Sequence, residues 1–190
     1  MSRLPIAILI SGRGTNMRVI AERAAAGSLP VDVRVVVSDK SSAEGLQAAA
    51  AMKITTRVLE GRQFADRPSY DRALIGLLAQ YQPKLIVLAG FMRILTPQFI
   101  EAFAGRILNV HPSLLPKYPG LHTHRRALEA GEAVHGVSVH FVTEQLDGGP
   151  VVLQAEVPVL PGDTEKTLSA RVQQGEHRIY PQAIDWFARG

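Results

Sequence analysis

The sequence predicts an α/β protein: an open, mostly parallel, Rossmann-like sheet with helices on both faces and a C-terminal antiparallel hairpin. Three observations carry the prediction. Short runs that are apolar at every position recur through the first half, as strands buried on both faces require. Stretches of helical composition separate them, which is the signature of βαβ units. Near residue 137 the pattern changes to alternation, which suits an antiparallel strand with one solvated face.

Taken in order, residues 6–10 form an apolar run bounded by Ser11-Gly12 and predict the first strand. Residues 17–26 read as a helix stopped near Gly27, 33–37 as a second strand, 43–52 as an Ala-rich helix and 55–59 as a third strand. Residues 69–81 follow Pro68 and put Leu74, Leu77 and Leu78 on one side of a helix. A fourth strand covers 85–89, and Thr96-Pro97 is an N-cap followed by proline at the first position of a short helix to Phe103. A fifth strand covers 107–110. Residues 112–120 hold three prolines and a glycine and predict a loop, with a helical stretch at 121–130 that can be mobile. Strands at 137–142 and 151–157 flank a turn at Asp147-Gly148-Gly149-Pro150, and Asp163-Thr164 caps a last helix ending near Arg189.

Length and composition narrow the function classes. A chain of 190 residues fits one domain, 1–190. With 46% hydrophobic and 20% charged residues it is neither disordered, collagen-like nor a coiled coil. The absence of cysteine excludes a disulfide framework, a thiolate metal site and a cysteine nucleophile. The net charge is +4 without a run of five like charges, so no nucleic-acid partner is expected, and a mild positive field suits an anionic small substrate. No signal-length apolar region and no apolar run near ~18 residues is present, which predicts a soluble, cytoplasmic protein without membrane association.

In open parallel sheets ligands bind outside the carboxyl ends of the strands, at the switch point. Residues 11–16 (Ser-Gly-Arg-Gly-Thr-Asn) follow the first strand and open a helix, so they are either a tight turn or a backbone cradle for phosphate. They form neither a full G-x-G-x-x-G nor a P-loop. Asn109 and His111 project from one face of the fifth strand. They are either a structural pair or an amide and an imidazole placed to stabilise an oxyanion. Asp147 either caps its turn or holds the His111 ring and favours its charged form. His122, His124, His135 and His140 lack a metal-binding pattern, so no metal is expected. Phe91, Met92, Arg93, Ile94 and Leu95 are either core or the wall of a flat heteroaromatic ligand site. Ser113 lacks the setting of a nucleophile elbow.

With these residues in view, the sequence resembles the phosphoribosylglycinamide formyltransferase family within the wider formyltransferase superfamily. The matching stretches are ILISGRGTN, VVSDKSSAEGL, VLAGFMRILTPQFI, GRILNVHPSLLPKYPGLHTHRRALEAG, HGVSVHFVTEQLDGGPVVLQAEVPV and RVQQGEHRIYPQAI, nearly the whole chain. The resemblance implies the formyltransferase fold and transfer of a formyl group from 10-formyltetrahydrofolate to the amine of glycinamide ribonucleotide. It implies Asn109, His111 and Asp147 as the catalytic trio. Gly14, Thr15 and Asn16 would hold the ribonucleotide phosphate, and Gln173, Gln174, Gly175 and Glu176 its ribose and glycinamide end. Arg67, Met92, Arg93, Ile94 and Leu95, with Asn109, would line the folate site, and Thr143, Glu144, Gln145, Leu146 and Asp147 would form its other wall. The partners implied are these two small molecules, with the chain a monomer or weak homodimer. Arg13 departs from the asparagine common in the family and adds a positive charge beside the phosphate site. Two related families, the formyltetrahydrofolate hydrolases and the methionyl-tRNA formyltransferases, share the trio, but each carries a further domain for which no sequence is seen here. A non-catalytic binding module on the same scaffold is the alternative from another class.

Overall fold

The computed structural model describes residues 3–190. Seven strands form one sheet in the order β3-β2-β1-β4-β5-β6-β7. They are β1 (Leu4–Ile10), β2 (Val31–Ser38), β3 (Thr56–Val58), β4 (Leu85–Leu88), β5 (Ile107–His111), β6 (Val134–Phe141) and β7 (Val151–Pro158). The first five run parallel, and β6 and β7 are antiparallel to their neighbours. The helices are α1 (Thr15–Ala25), α2 (Glu44–Ala51), α3 (Arg67–Ala79), α4 (Pro97–Ala102), α5 (Thr123–Glu129) and α6 (Glu165–Arg189). Strand order reverses between β1 and β4, which parts the loops at their carboxyl ends and makes the crevice of a doubly wound sheet. No helix among the described residues is long and apolar enough to cross a membrane.

Both faces of the central strands are buried, which explains their unbroken apolar runs. Ile6, Ile8, Ile10, Val36, Val87, Leu108, Val137 and Val139 pack toward α1, α2 and α6. Ala7, Leu9, Val35, Val37, Ile86, Leu88 and Ile107 face the other way, toward Tyr70, Leu74 and Leu78 of α3 and Phe99 of α4. The second core does not extend to the β6–β7 side. Asn109 and His111 continue the face of Ile107, and across the strand pairs they meet His140 and Ser138. Here the residues that cover the sheet come from the 112–122 loop rather than a helix. Leu115 N donates to Ser138 Oγ (3.0 Å), and Gln154 Nε2 donates to Leu115 O (2.9 Å). The polar end of the sheet is thus the part whose cover is a loop.

Element boundaries differ from the sequence expectation in a few places. The helix expected to start after Pro68 begins at Arg67, with the proline inside its first turn, where a missing N–H costs nothing. Its cap is Asp66, which accepts from Ser69 N at 2.8 Å in a capping box. β6 starts at Val134, because Val134, His135 and Gly136 pair with β7. The expected fifth strand extends to His111, which pairs with Ser138.

Candidate active site

His111 and Asp147 come together although 36 positions separate them in sequence. His111 Nδ1 lies 3.5 Å from Asp147 Oδ2, and both side chains are nearly buried. On the other side of the ring, Nε2 is 2.8 Å from Tyr118 O, a carbonyl that can only accept. Nε2 therefore carries a proton, and Nδ1 meets the carboxylate best as a second N–H. A ring protonated on both nitrogens satisfies both neighbours. Asp147 is in turn fixed by Gly120 N, which donates to Oδ2 at 2.8 Å.

The turn that delivers Asp147 depends on Gly149, where a Cβ would strike the Phe141 carbonyl; a Cβ on Gly148 would meet only the exposed side chain of Gln145. Asp147 itself has φ 50°, a left-handed conformation that aspartate tolerates better than most residues.

Asn109 is held by a residue that sequence reasoning missed. Its Nδ2 lies 3.2 Å from His140 Nε2, while His140 Nδ1 is 3.0 Å from Phe141 O. The carbonyl requires a proton on Nδ1, so Nε2 accepts from Asn109. Burial pushes the His140 imidazole below its ordinary pKa, which favours this neutral form. Asp147 Oδ1 lies 3.8 Å away. The signal that would have found His140 is register: alternation places it on the face of Ser138, and the β5–β6 pairing sets it opposite Asn109.

Three of the histidines outside the trio engage other partners. His124 and His135 pair with each other at 3.2 Å, His140 faces Asn109, and no group of three ligating side chains occurs among the described residues. Ser113 is fully buried and donates to Lys117 O at 2.6 Å, which is a structural role.

At the start of α1, Gly14 has φ 70° and stands at the N-cap without a side-chain acceptor, so the first N–H groups of the helix are open. A Cβ on Gly14 would lie 2.9 Å from Gly45 Cα, so α2 also demands glycine there. Two bonds tie this turn to α6. Gln173 Nε2 donates to Thr15 Oγ1 at 3.1 Å, and Asn16 Nδ2 donates to Glu176 Oε2 at 2.7 Å. Burial raises the Glu176 pKa, and the bond from Asn16 opposes it. Asn16 Oδ1 is buried with no partner among the described residues. Gln173 and Glu176 share a helix face; Gln174 is exposed, and Gly175 packs on β6, where a Cβ would approach Val137 to 3.2 Å.

The 91–95 segment is both core and open wall. Phe91 and Leu95 are buried, whereas Met92 and Ile94 are 66% and 54% exposed. Two side chains from other elements fix its path: Ser11 Oγ accepts from Met92 N at 2.8 Å, and Asp71 Oδ2 accepts from Thr96 N at 2.7 Å. Arg93 lies over the Tyr70 ring, 4.0 Å from its centroid. Arg67 is exposed at the start of α3. In the 142–150 loop, Thr143 is partly buried, and Glu144, Gln145 and Leu146 are exposed.

The formyl transferase family model matches residues 4–184. The phosphoribosylglycinamide formyltransferase of Escherichia coli (strain K12) is 55% identical over 185 residues, covering 97% of this chain and 87% of that protein. The enzyme of the same name from Haemophilus influenzae is 47% identical over the same shares. The crystal structure of glycinamide ribonucleotide transformylase 1 from Symbiobacterium toebii superposes with a TM-score of 0.97 at 45% identity, covering 99% of this chain and 89% of that one. Sheet, site and match together define the class: the chain belongs to the formyl transferase family. Within that family it stands with the phosphoribosylglycinamide formyltransferases, and it is a formyl-group transferase.

Proposed function

We propose that this chain moves the formyl group of 10-formyltetrahydrofolate to the amine of glycinamide ribonucleotide, in purine biosynthesis, with both binding regions on one domain. The observation that carries the reading is the convergence of Asn109, His111 and Asp147 at the carboxyl end of β5, with an open helix start and an exposed apolar wall following the neighbouring strands β1 and β4. The helix start with Gly14, Thr15 and Asn16 suits a phosphate. Gln173 and Glu176 suit sugar hydroxyls, a carboxylate being able to accept two hydrogen bonds. Met92, Ile94 and Leu146 offer apolar surface to the folate, and Arg67 and Arg93 offer positive charge.

In the reaction the neutral amine attacks the formyl carbon and forms a tetrahedral oxyanion. Asn109 donates from Nδ2, and the His111 ring donates from Nε2, where Tyr118 O now sits. Tyr118 must therefore give up that bond when the formyl oxygen arrives. Asp147 faces Nδ1 of the ring with a carboxylate oxygen and orients it. Collapse breaks the bond from carbon to folate N10; the amine loses one proton and N10 gains one, relayed through His111 or water. No covalent enzyme intermediate and no metal are needed.

The test follows the absorbance of a formyl-folate with and without glycinamide ribonucleotide. Turnover only with the amine is expected. Turnover without it would make the chain a hydrolase, and no turnover in either arm would make it a binding module.

A further inference from the structure

Arg93 makes no side-chain hydrogen bond or ion pair among the described residues and is held by packing instead. Its guanidinium lies 4.0 Å above the Tyr70 ring. That ring is fixed: Tyr70 is fully buried, with Phe64 edge-on against it at 5.4 Å. Against the Nη1 end of Arg93 lies Gly61, at the start of a short 3-10 turn (Gly61–Gln63). A Cβ at Gly61 would collide with Arg93 Nη1 and come within 2.7 Å of Cζ. Gly61 does not have a positive φ, so its backbone does not call for glycine. What its missing side chain provides is room for the guanidinium.

We propose that Gly61 and Tyr70 form a slot that seats the Arg93 guanidinium, with the ring against it and the glycine at its Nη1 end, and that as positioning residues they set how tightly the enzyme takes the anionic tail of its formyl donor. The inference deepens the proposed function and rests on the reading that the 91–95 segment faces the folate.

Seated against a ring and a glycine rather than in hydrogen bonds, the guanidinium keeps donors free, and a planar fork of N–H groups matches a carboxylate in two parallel bonds. The exposed Met92 and Ile94 flank it. A ligand lying along this segment is therefore apolar and flat in the middle and carboxylate-bearing at the end, which is the chemistry of a pterin–benzoyl–glutamate donor. Holding the cation in place beforehand removes the rotamer entropy that a free arginine loses on binding. The exposed Arg67 has no such seat and would lose it in full.

The experiment compares two formyl donors, one with its glutamate tail and one truncated to a neutral benzamide, at saturating ribonucleotide. The variants are Gly61→Ala, Tyr70→Leu, Arg93→Ala and the Gly61→Ala/Arg93→Ala double. At Gly61 the added methyl meets only the end of a flexible side chain, so that variant keeps the fold and moves the guanidinium. Gly61→Ala is expected to raise KM for the tailed donor about tenfold, the scale of a charge-assisted bond, with kcat retained and less than a twofold change for the truncated donor. Tyr70→Leu should do the same, and the double variant should be no worse than Arg93→Ala, because both changes remove one interaction. If Arg93→Ala abolishes the preference for the tail and Gly61→Ala leaves it intact, or the two losses multiply, the slot is overturned while Arg93 keeps its place in the folate site. An equal loss for both donors in Gly61→Ala also overturns the slot. If Arg93→Ala leaves the preference intact, Arg93 does not meet the tail, and the inference falls together with that part of the functional reading, though not with formyl transfer itself.

Discussion

His111 has an acceptor at each ring nitrogen, Tyr118 O at 2.8 Å and Asp147 Oδ2 at 3.5 Å, and in the proposed reaction it releases the first while keeping the second. His111→Ala removes both ring contacts. It should lower kcat about a thousandfold, within the span of proton-transfer and charge-stabilising groups. Ribonucleotide affinity should stay within about twofold, because its proposed contacts come from residues 14–16 and 173–176. Single-turnover rates and calorimetric titration separate these two effects. His140→Phe tests the amide partner. Phenylalanine fills the space but cannot accept from Asn109, so the amide turns freely and kcat should fall about tenfold, or about 1.4 kcal/mol of barrier. Steady-state kinetics at fixed pH measures it, and an unchanged kcat would make His140 a packing residue. Asn109 and His111 were legible because alternation alone puts them on one face. His140 was not, because its place opposite Asn109 lies in the strand register.

α5 is docked on β6 by a pair of imidazoles. His135 Nε2 and His124 Nδ1 are 3.2 Å apart, and the rings meet edge to face. One proton between the two nitrogens satisfies this contact, and adding another creates repulsion. Burial first, then His124, pushes the His135 pKa down to about 4. The sign follows from linkage. Between that value and the ordinary 6.5 the unfolded chain binds a proton that the folded chain refuses. Stability is then full above pH 6.5 and is lost as pH falls toward 4, by roughly 2–3 kcal/mol from this group. Melting curves from pH 7 to 4 should show the decline, and His135→Gln should flatten it; an equal slope in the variant would place the acid sensitivity elsewhere. At this scale β1 and β4 were legible because burial on both faces leaves no polar position in residues 6–10 and 85–88. The start of β6 was less so, since the exposed Val134 is fixed only by pairing with β7. The helix before the site was read one turn fragment late because proline marks a boundary without saying on which side of it the cap falls.

Across the whole molecule the site is assembled by contacts that no local period announces. Asn16 meets Glu176 across 160 positions, and Ser11 meets Met92 across 81. Motif resemblance grouped these residues, but the bonds that join them depend on where α6 lies under the sheet. α6 is anchored there by Tyr180, one turn beyond Glu176. The Tyr180 hydroxyl is fully buried and lies 2.9 Å from both Leu88 O and Leu108 O, sharing its single proton between β4 and β5. Those carbonyls sit where the two strands lead into the 91–95 segment and Asn109. Tyr180→Phe keeps the ring and strips the donor, leaving two buried carbonyls short of a partner. The expected cost is about 1–3 kcal/mol. In a chain of this length each kcal/mol lowers Tm by about 2–4 °C. Because the bridge joins α6 to the strand ends, the same variant should also raise KM for the ribonucleotide, whose proposed contacts ride on Gln173 and Glu176, more than it raises KM for the folate. Thermal melting and a two-substrate kinetic matrix read both quantities. A lower Tm with equal changes in the two KM values would mean that the hydroxyl braces the sheet without setting the position of α6, and an unchanged Tm would mean that the carbonyls are satisfied without it.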